Sequence, residues 1–294
     1  MLYKIRPTSC CSVLAGTRAA QLHVIQPCQI MAGIQLAEIL MWLSTVDQKS
    51  LAHCLPDSPQ TVISSHCLRR GLAKAWIKGS VSSFAAAIVQ IESCPSEPIS
   101  FGQDIEDLVQ ILENVQNWDC IIVDYEIAKQ LGSVIESALA HSVSYMDDVY
   151  FVPGRRIPKI GHACVRELTL KDMPLLEKTA NDELKIGCWR DSRSLLTDGI
   201  IAAAIVDQQI VATSGTAALS DGYAEIGVYT EPAYRRQGLA LAAASLVVNR
   251  VQETGRVPVW SAGSTNVASI EMAKKLGFKE YARRTYVILD RIEA

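Results

Sequence analysis

From residue 30 onward the apolar positions fall into short blocks whose period switches between helical and extended. Residues 30–43 and 67–77 carry apolar side chains at helical spacing, and each block predicts a helix. The run at 83–91, SFAAAIVQI, predicts a buried strand. Residues 104–115 place Ile105, Leu108, Val109, Leu112 and Val115 on one helical face. A short strand at 120–123, a helix at 128–139 and a strand at 143–152 complete an α/β alternation. It has no phosphate loop of its own, and it predicts a separate lobe over residues 30–152. Pro153-Gly154-Arg155-Arg156-Ile157-Pro158 is rich in turn formers and positive charge, so residues 153–161 read as a linker.

The pattern resumes in a second unit over residues 162–294. A strand is expected at 165–168 and a helix at 171–180 with Leu175, Leu176 and Ala180 inward. Two strands, 200–206 and 210–219, flank Asp207-Gln208-Gln209 as a hairpin. The next strand, 223–230, runs straight into a basic, glycine-containing turn and then a helix too apolar to lie on the surface. Gly255 ends that helix, residues 257–261 form a short strand, and Asn266-Val267-Ala268-Ser269 opens a helix that closes at Leu276-Gly277-Phe278.

Arg235-Arg236-Gln237-Gly238-Leu239-Ala240 fits R-x-x-G-x-A at the strand-to-helix junction. A helix N-terminus offers unpaired N–H groups and the positive end of the dipole, which suits a pyrophosphate. Gly238 lets the backbone approach the anion closely. This block resembles motif A of the GNAT acyltransferase superfamily, and N-x-x-S-x-x-x-A-x-x-L-G-F from Asn266 resembles motif B. The resemblance covers residues 165–289. It implies an α/β (α+β) GNAT fold, with a central mixed, mostly antiparallel sheet in the C-terminal lobe. The smaller N-terminal α/β lobe is similar to that of the zwittermicin-resistance and glycine N-acyltransferase-like types, in which it can be a degenerate GNAT-like fold.

The resemblance also implies roles for particular positions. Val228, Tyr229 and Thr230 match the strand end that pairs with the pantetheine arm, with a backbone N–H near Val228 or Tyr229 as oxyanion donor. Arg236, Gln237, Gly238, Leu239, Ala240 and Leu241 match the pyrophosphate-gripping segment. Asn266 matches a residue near the cofactor, and it equally suits a helix N-cap. Arg235 and Arg236 suit phosphate pairing or solvated surface positions. Glu225, on the strand leading to the loop, is the candidate general base, acting through a water; its alternative is a strand-end residue paired with an arginine. Many relatives place a general-acid tyrosine where this chain has Ala273, and some place a glutamate where it has Ser261. Tyr229, Ser261, Ser264, Tyr281 and Tyr286 are reserve candidates. Trp189 borders the expected acceptor segment, either facing substrate or plugging a loop.

The implied reaction moves an acetyl group from acetyl-CoA, or another acyl-CoA, to a primary amine by direct attack. The alternative is an acyl-CoA-binding sensor with little or no turnover. The acceptor would be a small molecule or a peptide. The N-terminal lobe would help form the acceptor cleft or an oligomer interface, a homodimer being the simplest.

Composition narrows the partners. A net charge of -3 from 28 basic and 31 acidic residues argues against a nucleic-acid binder. No apolar run reaches the ~18 residues that suggest a membrane span. The nine cysteines are dispersed with no C-x-x-C, which favours a reducing, cytoplasmic setting and no metal. His53-Cys54 and His66-Cys67 form a repeated pair, read as buried packing before metal binding. Residues 1–29 form a basic, Ser/Cys/Ala-rich stretch without acids, compatible with organellar import. A flexible extension or an upstream start codon is preferred.

Overall fold

Two successive runs of elements with the same order build one sheet. The first run is β1 (Leu40–Trp42), α1 (Thr45–Cys54), α2 (Val62–Arg70), β2 (Ala73–Ser80), β3 (Ser83–Ile91), β4 (Cys94–Gly102), α3 (Ile105–Leu112), β5 (Cys120–Asp124), α4 (Ala128–Leu139) and β6 (Val143–Pro153). The second is β7 (Val165–Glu167), α5 (Met173–Glu177), α6 (Ser192–Asp198), β8 (Ile201–Val206), β9 (Gln209–Leu219), β10 (Tyr223–Thr230), α7 (Leu239–Glu253), β11 (Val257–Gly263), α8 (Val267–Lys275) and β12 (Phe278–Leu289). The structure is a computed structural model that describes residues 40–185 and 187–290.

The strand order is β1-β2-β3-β4-β5-β12-β6-β11-β10-β9-β8-β7. Read inward from its two ends, the sheet meets the first five strands of each run in the same order. The sixth strands are exchanged: β12 pairs with β5, and β6 pairs with β11. Both then meet at the centre, antiparallel, with Arg284 opposite Asp148. Only β4/β5 and β10/β11 are parallel, because a helix, α3 or α7, crosses between those strands.

Burial divides the second half of the sheet into two faces. On one, Ala243, Ala244, Val247, Val248 and Val251 of α7 pack on Ala224 and Ile226 of β10 and on Trp260 of β11. Trp260 satisfies its indole N–H on Ser269 Oγ of α8 at 2.9 Å. On the other face, Leu176 of α5 and Leu195 of α6 cover Ile201, Ala203 and Ile210. Helix α2 of the first run joins this face. His66 Nε2 lies 3.0 Å from the Cys188 carbonyl, and its Nδ1 accepts from Leu219 N–H at 3.1 Å.

Several predicted elements differ. Helicity at 67–77 stops at Arg70, because Gly71 adopts a left-handed φ of 64° and turns the chain into β2. Leu40–Trp42, expected as the end of a helix, is a strand paired with β2; residues 30–39 and 1–29 lie outside the described residues. Strand β4 was not expected from CPSEPISFG, whose two prolines and broken register with β3 disguise it. The helix expected over 171–180 is regular only in α5. Helix α6, with its Asp191/Ser194 capping box, was not anticipated.

Candidate active site

β10 and β11 start as a hydrogen-bonded parallel pair and then part. Their register covers only Tyr223–Val257, Ala224–Pro258 and Glu225–Val259. Beyond Glu225 the ladder between β9 and β10 shifts register, and β10 continues against β9 alone. β11 continues against β6. A wedge therefore opens between residues 226–230 and 260–263. Ladder alternation determines what β10 presents to it. Glu231 N–H bonds the Val211 carbonyl at 2.9 Å, so the backbones of Tyr229 and Gly227 also turn toward β9. Those of Val228 and Thr230 turn into the wedge. Val228, rather than Tyr229, therefore offers a free N–H there.

The turn after β10 has the shape its sequence suggested. Arg235 Nε donates to the Thr230 carbonyl at 3.1 Å, folding the chain back over the strand end. Arg236 and Gly238 both take left-handed φ, 68° and 77°. Such alternation turns successive N–H groups to one side as an anion-binding concavity. Gly238 N-caps α7 with nothing within 4 Å of where a Cβ would lie, so the concavity is open. Leu239, Ala240 and Leu241 form the first turn, whose N–H groups lack intrahelical acceptors. Leu239 is buried and anchors the turn, while residues 235–238 are exposed. Thr230 Oγ1, at the mouth of the wedge, is buried without a partner.

At the apex sits Glu225, only 3% exposed. Its Oε1 accepts from Ser261 Oγ at 2.7 Å and from Ser261 N–H at 3.0 Å, tying the two strands together as they separate. Its Oε2 is buried without a partner. Burial raises its pKa from 4.5 to about 8, against the lowering effect of the Ser261 hydrogen bonds. The carboxyl of the ligand-free protein is therefore mostly protonated at neutral pH. Across β11, Tyr150 of β6 is the register partner of Ser261, and Asp148 that of Gly263. Burial raises the Asp148 carboxyl to about 7, although the neighbouring Tyr150 hydroxyl and Arg284 oppose the shift.

The remaining candidates separate cleanly. Asn266 lies past the end of β11 and caps α8 through Ser269 N–H at 3.2 Å. Ala273 is fully buried against α7 and β11 neighbours. Tyr229 shares the Glu225 face of β10 but packs farther along it with the α5 and α6 cluster, and it accepts from Asn181, which also donates to Glu231 at 2.8 Å. Tyr281 and Ser264 are exposed, and Tyr286 belongs to the core. Trp189 plugs a loop: its indole donates to the Thr216 carbonyl at 2.7 Å and its ring meets His66 edge-on. His66 uses both ring nitrogens on backbone groups. Among the described residues no group of three or more His, Cys, Asp or Glu is placed to hold a metal, and no helix is long and apolar enough to cross a membrane.

A cavity of about 760 Å³ opens beside the far end of β10, bordered by Lys178, Asn181, Gln209, Glu231 and Tyr234. Glu231 is six residues beyond Glu225, or roughly 20 Å along a strand, so this space adjoins the basic turn rather than the buried carboxyl. Sequence reading missed Asp148, Tyr150, Asn181 and Glu231. The signal for the first was the Asp147-Asp148 pair within a mostly apolar strand.

Known proteins resemble this chain in both sequence and fold. Residues 60–289 match the family described as GNAT acetyltransferase, extending the likeness well upstream of residue 165. An uncharacterized N-acetyltransferase of Bacillus subtilis strain 168, YdfB, is 31% identical over 97 residues, 33% of this chain and 37% of that protein. The chain thus spans little more than a third of the length of this curated relative. A GCN5-related N-acetyltransferase-like protein from Streptococcus suis 89/1591 superposes with a TM-score of 0.61 at 18% identity, over 83% of this chain and 99% of its own. A tandem GNAT protein from the clavulanic acid biosynthesis pathway, solved without AcCoA, gives a TM-score of 0.52 at 9% identity, over 88% and 100%. At these identities the solved structures establish a shared fold.

Proposed function

The chain belongs to the GNAT acetyltransferase family, and from that premise we propose that it transfers an acetyl group from acetyl-CoA, or another acyl-CoA, to a primary amine by direct attack. The observation that carries the reading is the β10/β11 wedge, with a buried carboxyl at its apex and an open anion-binding turn at its mouth.

In this reading residues 236–241 hold the pyrophosphate through backbone N–H groups, with Arg236 adding charge. The free edge of β10, from Val228 to the N–H of Thr230, whose carbonyl already accepts from Arg235, pairs with the amides of the pantetheine arm, and Thr230 Oγ1 gains a partner. Val228 N–H donates to the thioester oxygen as charge develops on it. Glu225, once ionised, takes a proton from the attacking nitrogen directly or through one water. An alkylamine with a pKa near ~10.4 reaches its neutral form at a cost of about 4–5 kcal/mol at neutral pH, so a base matters. The C–N bond forms, the C–S bond breaks, and the thiolate, from a thiol of pKa ~8.5, departs without a tyrosine acid at position 273.

The first-run elements, especially α2 and β6, form the acceptor side of the cleft. The repeated element order supports reading them as a second, degenerate copy of the same architecture. Its counterpart of the basic turn is acidic: Asp104 caps α3 by accepting from Asp107 N–H, with Glu106 and Asp107 in the first turn. That arrangement repels phosphate, so one acyl-CoA site per chain is expected. Six free cysteines among the described residues suit a reducing, cytoplasmic setting.

Calorimetric titration with acetyl-CoA, alongside Gly238→Asp, tests the reading. Binding by the native chain and loss in the variant is expected, followed by thiol release with amines. A native chain that binds neither acetyl-CoA nor longer acyl-CoAs would sink it. Ala273 and the mostly protonated Glu225 favour one competitor, a binding module without turnover. That competitor predicts acyl-CoA binding but no thiol release from any amine at any pH.

A further inference from the structure

Glu225 does not stand alone behind the wedge. Asp148, 3% exposed, lies on the same face of the sheet, two strands away. The Glu225 side chain covers one strand spacing, roughly 5 Å, by reaching Ser261 on β11. The next spacing is crossed by register: Tyr150 of β6 stands opposite Ser261 and interacts with Asp148 two residues along the same strand. Gly263, opposite Asp148, puts no side chain between Asp148 and the wedge. Three atoms of the cluster are buried without partners: Glu225 Oε2, Asp148 Oδ1 and Arg284 Nε. Such groups are ordinarily satisfied, so three together mark a place where protons or water move rather than a finished structural network.

The charges around it are few. Arg284 of β12 faces Asp148 and also lies 3.3 Å from Asp124 of β5. Glu97 of β4 and Cys188 approach from the sides, and His66 of α2 is spent on backbone groups. One buried guanidinium thus serves two carboxyls, Asp148 and Asp124. Besides burial, the charge of Asp148 raises the pKa of Glu225, which couples the two titrations.

We propose that Asp148 is a positioning carboxylate that shares one proton with Glu225 and so governs when Glu225 is free to accept the proton of the amine. The inference rests on the reading of Glu225 as base. Asp148 comes from the exchanged strand β6, so the wedge of the second run depends on a side chain of the first. The step balances simply. The nitrogen loses a proton to the shared pair as the C–N bond forms, and the pair returns it to solvent.

The test is an infrared titration of buried carboxyl groups in the ligand-free chain, in a Glu97→Gln background that removes the third one. Adding Asp148→Asn should move the Glu225 ionisation to lower pH by about one unit, since a like charge is lost. Thiol-release rates in Asp148→Asn should show the same displacement of the acid limb of kcat/KM, with an unchanged KM for acetyl-CoA. A Glu225 ionisation that stays in place overturns the proposal. If Asp148→Asn does not fold, Glu225→Gln is read on Asp148 by the same criterion. A rate limb that persists in Glu225→Gln refutes the base assignment and with it the role of Asp148 in the reaction. The infrared shift alone still decides whether the two carboxyls are coupled.

Discussion

Glu225 and Ser261 join β10 to β11 at the point where the two strands separate, through a 2.7 Å bond from the serine hydroxyl and a 3.0 Å bond from its N–H. Ser261 thus holds the carboxyl in place and lowers its pKa. Ser261→Ala should therefore shift the acid limb of the rate profile to higher pH. It should cost about 1 kcal/mol of stability for one lost hydrogen bond. A pH–rate series with a denaturant titration measures both.

Glu225→Gln removes the ionisation altogether. Thiol release should fall roughly 10²–10⁴-fold, the usual worth of a positioned base. Stability should change with the opposite sense at high pH. Burial raises Glu225 from 4.5 to about 8 in the folded chain, so the folded state holds the proton more tightly than the unfolded state. Its stabilising contribution is complete below pH 4.5 and is lost as pH rises through 8. Asp148, raised to about 7, acts in the same sense. Melting temperatures of the variant should consequently decline less between pH 5 and pH 8 than those of the native chain. An equal decline in both would contradict the protonated, buried state.

Arg236 offers a prediction with two opposite signs. Its φ of 68° is left-handed, which costs a side-chain-bearing residue about 1 kcal/mol relative to glycine. Arg236→Gly should raise thermal stability slightly by relaxing that strain. The same change should weaken acyl-CoA binding by removing a cation from the turn. Calorimetric titration and thermal unfolding of one variant test both arms.

His66 tests how firmly the first run grips the second. Its ring bonds the Cys188 carbonyl and Leu219 N–H, and burial is the main cause lowering its pKa from 6.5. His66→Phe fills similar space but strands both backbone groups, at about 1–3 kcal/mol each. In the native chain the neutral ring contributes stability that is present above 6.5 and lost as pH falls through its lower folded value. The variant should lack that acid-side loss, which chemical denaturation at pH 5 and pH 7 reads out.

The basic turn was legible in the residues because local chemistry shapes it. A glycine in the left-handed region, an arginine pair and an apolar helix produce the same geometry wherever they follow a strand. The N-cap role of Asn266 was legible for the same reason. The sequence also located Glu225 on its strand, yet it could not tell that the glutamate crosses to Ser261, because 36 residues separate them. Val228 and Tyr229 were equal candidates until the Glu231–Val211 bond determined which backbone faces the wedge.

Sequence by itself determined strands β7 to β11 and helices α7 and α8 of the second run, the two GNAT-like motifs and the absence of a tyrosine at position 273. Those properties rest on periodicity and on short-range backbone chemistry. Only the tertiary structure decided that β6 and β12 change places, that Asp148 and Tyr150 stand beside the wedge, and that Arg284 is buried between Asp148 and Asp124. Strand exchange leaves no mark on local pattern, because β6 and β12 read as strands whichever neighbour they pair with. The environment of a carboxyl is set by what distant segments place over it, and that follows from the pairing.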